Sequence, residues 1–282
     1  MSNPFCPSDP AFKQNAAAAV AVIALVGAGV YQARDNFDFT FWQAEPAVQE
    51  VVEHADEAPH WGYHGDAGPA HWGGLAPQFA ACAEGQAQSP VDLAAASVGE
   101  PIDFELNVLP APLSVLNNGH TVQFNMDNGS TLTAEGVTYN LLQVHFHTPS
   151  EHVAKGKPFN AEAHFVHQAE DGSLAVVGVL VKEGKANPTL ASLFEHLPAE
   201  EAEAQTFADT TIDANGLIPA DSGLFHYSGS LTTPPCSEGV NWYVFTRPAT
   251  ASAKQLATLS GVLGANARPA QALNERAVEI SQ

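Results

Sequence analysis

The chain has 282 residues, 45% of them hydrophobic, which suffices for one large domain or two small ones with a full-sized core. Ten Lys and Arg residues stand against 31 Asp and Glu residues, so the formal net charge is -21. Because so negative a surface repels phosphate backbones and anionic lipid headgroups, we expect no nucleic-acid partner.

An apolar segment near the N-terminus indicates export. Residues 16–30 (AAAAVAVIALVGAGV) are uncharged, follow Lys13 and precede Arg34. Their length suits the apolar region of a signal peptide, and continuation to residue 33 would favour a membrane anchor. Residues 1–35 are therefore interpreted as a signal or membrane-anchor segment, with a buried helix as the alternative. The expected location is periplasmic or extracellular, either secreted or attached to the membrane through residues 16–33.

An acidic stretch with two prolines, residues 36–59, is interpreted as a linker. Its aromatic residues, Phe37, Phe39, Phe41 and Trp42, would suit a membrane interface if the preceding segment is an anchor. This leaves residues 60–282 as the folded domain.

The folded region has a strand-rich pattern, in which short alternating or apolar runs are separated by turn formers such as Asn117-Asn118-Gly119. Strands are predicted at 114–116, 121–125, 140–147, 161–168, 174–182 and 241–246. Helical patterning is confined to 190–197 and 251–263. The predicted fold is mainly β (α+β), a single domain with a central, mostly antiparallel twisted sheet and peripheral short helices.

Two histidines, His145 and His147, lie two residues apart on a predicted strand, so their side chains share one face. A second predicted strand carries His164 and is near enough in sequence to pair with the first as a hairpin, which would bring His164 to that face. Three neutral imidazoles with one open position suit catalytic zinc. The alternative without a metal is that these histidines belong to a half-exposed polar face of a strand.

The neighbours of these histidines favour the metal site. A ligand imidazole needs a partner for its other ring nitrogen. Gln143 shares a face with His145, and Glu162 shares a face with His164, so each is predicted to accept a hydrogen bond from the outer ring nitrogen of a ligand histidine and orient it.

Three cysteines, Cys6, Cys82 and Cys236, lack the close spacings of zinc ribbons and redox pairs. A disulfide remains the structural option, and it would imply an oxidising compartment.

The motifs together resemble a known family. Residues 143–152 (QVHFHTPSEH) followed by 162–167 (EAHFVH) are similar to the metal-binding core of bacterial, exported alpha-carbonic anhydrases. Other blocks of that family recur in order at 61–63, 71–73, 88–91, 117–120, 229–236, 266 and 268–269. The resemblance covers residues 61–276 approximately and implies a Zn²⁺ enzyme that converts carbon dioxide and water to bicarbonate and a proton through a zinc-bound hydroxide.

The resemblance implies a role for each matching residue. His145, His147 and His164 would bind zinc. Thr232 would accept a hydrogen bond from the hydroxide and donate its own proton to Glu151. The catalytic set is completed by a proton shuttle and by two residues that order the connecting waters: His120, Tyr63 and Asn118.

An apolar pocket for carbon dioxide is implied at the substrate-binding positions Val166, Val176, Leu231, Thr233, Val240 and Trp242. Read alone, the apolar members would be routine core residues. Cys82 and Cys236 match a disulfide found in exported bacterial members. His152 and His167 match positions interpreted as structural, and a homodimer is left open.

Three rival functions differ in testable ways. A non-catalytic carbonic-anhydrase-like binding module would have lost a ligand histidine, and none is lost here. Another zinc hydrolase, such as an esterase, would prefer ester cleavage to hydration. A membrane-attached structural subunit would fractionate with partners in detergent.

Overall fold

The computed structural model describes residues 59–126 and 128–281. The expected signal or anchor segment, almost all of the expected linker, Cys6 and His54 lie outside these residues. Within them, no helix is both long enough and apolar enough to cross a bilayer.

Strands dominate the described residues. They are β1 (Ser97–Val98), β2 (Phe104–Asn107), β3 (Ala111–Asn117), β4 (Val122–Asn125), β5 (Thr131–Ala134), β6 (Val137–His147), β7 (Val153–Ala154), β8 (Lys157–Pro158), β9 (Ala161–Gln168), β10 (Leu174–Glu183), β11 (Ala202–Ile212), β12 (Leu224–Ser230), β13 (Glu238–Phe245), β14 (Ala249–Ala251) and β15 (Glu279–Ser281).

The helices are short and peripheral. They are α1 (Trp72–Leu75), α2 (Ala81–Glu84), α3 (Pro188–Phe194) and α4 (Ala253–Leu263), with single 3₁₀ turns at Gly65–Ala67, Pro77–Phe79, Leu93–Ala95 and Ala214–Leu217.

In the described part of the chain, one sheet of 13 strands forms the body of the fold, with the order β1-β15-β12-β13-β10-β9-β6-β4-β3-β11. β14 pairs with β10, while β5 pairs with both β2 and β6; β7 and β8 form a separate hairpin. Most pairs are antiparallel, and β10 with β13, β10 with β14, and β1 with β15 are parallel. The predicted mainly β fold class is confirmed.

The central strands follow from hydrophobic alternation. β10 turns Val177, Val179 and Val181 towards the larger core and Val176 and Leu180 towards a second core on the other face of the sheet. Both faces are covered, so the strand reads as a nearly continuous apolar run.

Nine of the fifteen strands in the described residues lie outside the predicted ranges, and the two longest of these are β11 and β12. β11 is exposed at most of its positions, and β12 (LFHYSGS) contains a glycine and two serines. Neither shows the alternation of a half-buried strand, so tertiary pairing with β3 and with β13 decides their structure.

A third apolar cluster, around Trp72 and Phe79, surrounds a disulfide between Cys82 and Cys236. The bond joins the short helix α2 to the loop that follows β12. Arg268 is buried nearby and donates hydrogen bonds to the carbonyl oxygens of Cys82 and Ser89 and to Gln88 Oε1. These contacts tie three distant chain segments together.

Reduction of the disulfide is expected to lower thermal stability. The two cysteines are 154 residues apart, and cross-linking a loop of that length stabilises by about 5 kcal/mol on the chain-entropy model. For a domain of this size that corresponds to a fall in Tm on the order of 10 °C. Scanning calorimetry with and without reductant checks this.

The double variant Cys82→Ala/Cys236→Ala is the control, because its Tm should already be low and should not respond to reductant. An unchanged Tm of the reduced native chain would contradict the prediction.

Candidate metal centre

The three predicted ligand histidines come together on neighbouring strands. His145 and His147 lie on β6, and His164 lies on β9 directly opposite His145 in the antiparallel register. One ring nitrogen of each falls within 4.8 Å of the others. His147 and His164 are each 1% exposed, while His145 borders the cleft and is half-buried. The hairpin therefore produces the convergence that alternation suggested.

Each outer ring nitrogen faces a different acceptor. His145 Nδ1 lies 2.8 Å from Gln143 Oε1, and His147 Nδ1 lies 2.8 Å from the carbonyl oxygen of Asn266. His164 Nε2 lies 3.0 Å from Glu162 Oε1, although it forms no hydrogen bond of regular geometry within the described residues. These partners leave Nε2 of His145, Nε2 of His147 and Nδ1 of His164 facing inwards.

The inward nitrogens fit a bound cation. A carbonyl oxygen only accepts, so His147 carries its proton on Nδ1 and its Nε2 is a bare lone pair. The same holds for His145 when Gln143 Oε1 accepts from Nδ1. The two Nε2 atoms are 3.1 Å apart, close to the roughly 3.3 Å that tetrahedral zinc with Zn–N bonds near 2.05 Å requires. Facing lone pairs repel each other without a cation, so the donor set suits a divalent metal.

Electrostatics keeps the ligands neutral. Burial lowers the pKa of His145, His147 and His164, so their lone pairs are available at neutral pH. Burial opposes ionisation of Glu162, but His152 and His164 hold the pKa of its carboxyl well below the usual range. A buried carboxylate thus faces the outer side of His164 and orients it.

The Glu162 carboxylate also holds the chain behind the histidines. Its Oε2 accepts hydrogen bonds from the backbone amides of Glu151 and His152, and its Oε1 accepts from His152 Nδ1 at 2.7 Å. Tyr227 Oη lies 2.7 Å from His152 Nε2. This network fixes the segment that follows β6, including Glu151.

Glu151 is buried beside the metal centre. Its Oε1 accepts from the backbone amide of Arg268 at 2.9 Å, and its Oε2 lies 3.5 Å from His147 Nε2. Burial raises the pKa of Glu151 to about 7, while His164, the Thr232 hydroxyl and the Arg268 amide oppose that rise. A cation beside it would favour the ionised form further.

An open cleft of about 170 Å³ leads from His145 and His147 to the surface, and its polar wall contains the residues Tyr63, Asn118, His120 and Thr233. The His120 ring stacks on Trp61 with ring centroids 3.7 Å apart. Burial, with the charge of Glu151 adding to it, raises the pKa of Tyr63, which therefore stays protonated. His120 is half-buried at the cleft entrance.

An apolar cluster adjoins the centre on the other side. Val176, Val240 and Trp242 are buried in it, and Val166 and Leu231 pack against them. The Trp242 and His164 ring centroids are 4.9 Å apart. The predicted substrate positions, apart from Thr233, therefore form one surface beside the histidines.

Five further histidines are not among the three ligands, although His152 contacts Glu162 behind His164 and could share a cation with these two residues. His60, His64 and His71 are exposed, whereas His152 and His167 are fully buried. Burial lowers the pKa of His167 to about 4, so it is a neutral core residue.

Some of the site was invisible in the sequence. Asn266 not only accepts from His147 but also accepts from the Thr148 amide and donates to the His120 carbonyl oxygen. Trp61 provides the ring on which His120 stacks. Both belong to short blocks whose order was recognisable, but their contacts cross more than 50 residues of sequence, and no local pattern encodes such contacts.

Comparisons with known proteins agree with this geometry. A family model for eukaryotic-type carbonic anhydrases matches residues 67–282. A carbonic anhydrase of Pectobacterium atrosepticum is 43% identical over 225 residues, which are 79% of this chain and 92% of that protein. One of Nostoc sp. is 43% identical over 224 residues, covering 78% of this chain and 85% of that protein. The alpha-carbonic anhydrase of Thermovibrio ammonificans, solved with the inhibitor sulfanilamide, has a TM-score of 0.76 and 41% identity, covering 79% of this chain and 100% of that one.

Gln143→Ala is expected to weaken zinc binding about tenfold or more, because His145 loses the acceptor that orients its ring. Gln143→Glu keeps an acceptor oxygen at that position and should retain most of the affinity. Zinc dissociation constants from competition with a chromogenic chelator check both variants. Equal affinity in the native chain and in Gln143→Ala would show that Gln143 does not orient the ring.

Proposed function

Since this chain belongs to the alpha-type carbonic anhydrase family and is a carbonic anhydrase, we propose that it hydrates carbon dioxide reversibly at a zinc ion held by His145, His147 and His164. The observation that carries the proposal is the pair of bare Nε2 atoms 3.1 Å apart, with His164 facing the same point. Zinc, when bound by three imidazoles, supplies a hydroxide nucleophile at neutral pH by lowering the pKa of water to about 7.

Thr232 and Glu151 orient the nucleophile. Glu151 Oε1 is fixed by the Arg268 amide, while Glu151 Oε2 has no hydrogen-bond partner within the described residues. An ionised carboxylate can only accept, so a Thr232 hydroxyl turned towards Glu151 would donate to it, and the Thr232 oxygen would remain an acceptor that orients the nucleophile towards the substrate. Such positioning lowers the barrier through orientation.

The apolar cluster beside the centre suits the substrate. Carbon dioxide is small and has no net dipole, so a wall formed by Val166, Val176, Leu231, Val240 and Trp242 holds it without competing for its oxygens. Bicarbonate is charged and is poorly held by the same surface. The wall therefore favours exchange of product for substrate.

His120 is proposed to carry the proton between the cleft and solvent. It lines the cleft and is none of the three ligands. An imidazole is the side chain that can take up and release a proton near physiological pH, although burial lowers the pKa of His120 from its ordinary value. Tyr63 and Asn118 line the intervening space and offer hydroxyl and amide groups to the waters that conduct the proton. Stacking on Trp61 leaves the His120 ring in place at the entrance.

The location follows from chemistry outside the centre. The disulfide suits an oxidising compartment, so we propose that residues 60–282 work as one domain in the periplasm or outside the cell. Residues 1–35 would direct export or anchor the chain, and residues 36–59 would link this segment to the domain. A homodimer is compatible with this arrangement.

His147→Ala is expected to lose bound zinc and hydration activity together. Removal of one of three ligands leaves the remaining imidazoles unable to hold the ion, so kcat/KM should fall by more than about 10³-fold. Metal analysis and stopped-flow hydration assays, with and without a chelator, measure both effects. His226→Ala is the control, because this half-buried ring stacks on Tyr243 away from the cleft. Full activity of His147→Ala, or of metal-free native chain, would refute the proposal.

His120→Ala is expected to lower kcat by about tenfold or more, with kcat/KM unchanged, because only the proton-transfer step uses this residue. Added imidazole buffer should restore the rate. His71→Ala, which removes an exposed histidine outside the cleft, should leave kcat unaltered. If kcat of His120→Ala did not depend on buffer concentration, His120 would not be the carrier.

A further inference from the structure

A second polar groove lies beside the entrance of the cleft. It is lined by Leu116, Asn117, Asn118, Glu201, Ala202 and Glu203, and Asn118 also lines the cleft itself. The groove therefore meets the cleft at the turn that carries His120.

Strand pairing places Glu201 against that turn. β11 begins at Ala202, which pairs with Asn117 at the end of β3 in antiparallel register. Continuing this register sets Glu201 alongside residues 118–120. The Asn117 amide also donates to the Pro198 carbonyl oxygen, which ties the segment before β11 to the same turn.

Gly119 permits a close approach of the Glu201 carboxylate. A Cβ atom at Gly119 would lie 3.2 Å from Glu201 Oε2 and 3.5 Å from its carboxyl carbon. Gly119 also has a φ of 80°, which glycine adopts without strain. The turn is fixed from within, because Asn118 Oδ1 accepts from the amides of His120 and Thr121. The exposed Glu201 carboxylate thus lies against Gly119, the residue before the proton carrier.

We propose that Glu201 is a positioning residue for proton transfer, whose carboxylate stabilises the charged form of His120 at the cleft entrance and leads the proton out through the adjoining groove. This proposal rests on the proposed role of His120.

The charges around His120 oppose one another. Burial lowers the pKa of His120, His60 lowers it further, and Glu201 raises it. Tyr63 lines the same cleft but stays protonated. The proton to be carried comes from a donor of pKa near 7, so an acceptor with too low a pKa would take it up poorly. Glu201 works against that loss.

The test is a charge series at this position. NMR of the labelled full chain measures the pKa of His120. Glu201→Gln should lower this pKa by about 0.3–0.6 unit at low salt, and Glu201→Lys should lower it by about twice as much. The shift should shrink as salt is added. Glu203→Gln is the matched control: Glu203 lines the same groove on β11, two residues further from the turn.

Turnover should follow the titration. Glu201→Gln should reduce kcat by about two- to fourfold at low buffer concentration, leave kcat/KM unchanged and recover with imidazole. In a His120→Ala background the same substitution should have no effect, because Glu201 acts through His120.

The outcomes separate the two proposals. An unchanged His120 titration in Glu201→Gln, an effect equal to that of Glu203→Gln, or a titration shift without a change in kcat would each overturn the role of Glu201. Undiminished kcat in His120→Ala would instead overturn the proposed shuttle, whatever the titration showed.

Discussion

The structure depends on three neutral imidazoles that turn their bare nitrogens to one point. Such an arrangement is unfavourable by itself, since lone pairs repel each other and burial removes their solvation. Each outer nitrogen faces an oxygen, provided by Gln143, Asn266 or Glu162. These oxygens orient the three rings so that their inner nitrogens suit a bound cation, which would offset the repulsion between the lone pairs.

The buried polar groups behind the centre act as one support. Glu162 connects the metal ligands to the segment that holds Glu151, and the Arg268 amide holds Glu151 in turn. Arg268 also reaches the chain next to the disulfide. In a low-dielectric interior these hydrogen bonds are stronger than at the surface, and they fasten loops far apart in sequence to each other around the centre. Within the described residues, Glu151 Oε2 and His164 Nε2 have no hydrogen-bond partner.

The two walls of the site suit different species, carbon dioxide and the proton. The apolar wall around Val176 and Trp242 has no group that binds a proton, and the polar wall around His120 has few apolar groups to hold carbon dioxide. Both walls follow from the position of β6 and β9 in the middle of the sheet, since strands on one side contribute valines and the turn after β3 contributes the polar groups.

The sequence by itself determined the mainly β fold and the shared face of His145 and His147, because strand alternation is local and has a period of two. It also made the approach of β9 expected, since a short connection favours antiparallel pairing. Only the tertiary structure decided that Asn266 orients His147, that Trp61 stacks on His120 and that the exposed strand β11 joins the sheet. Those features depend on contacts between residues far apart in the chain, and a local pattern of residue types carries no information about which distant partners will meet.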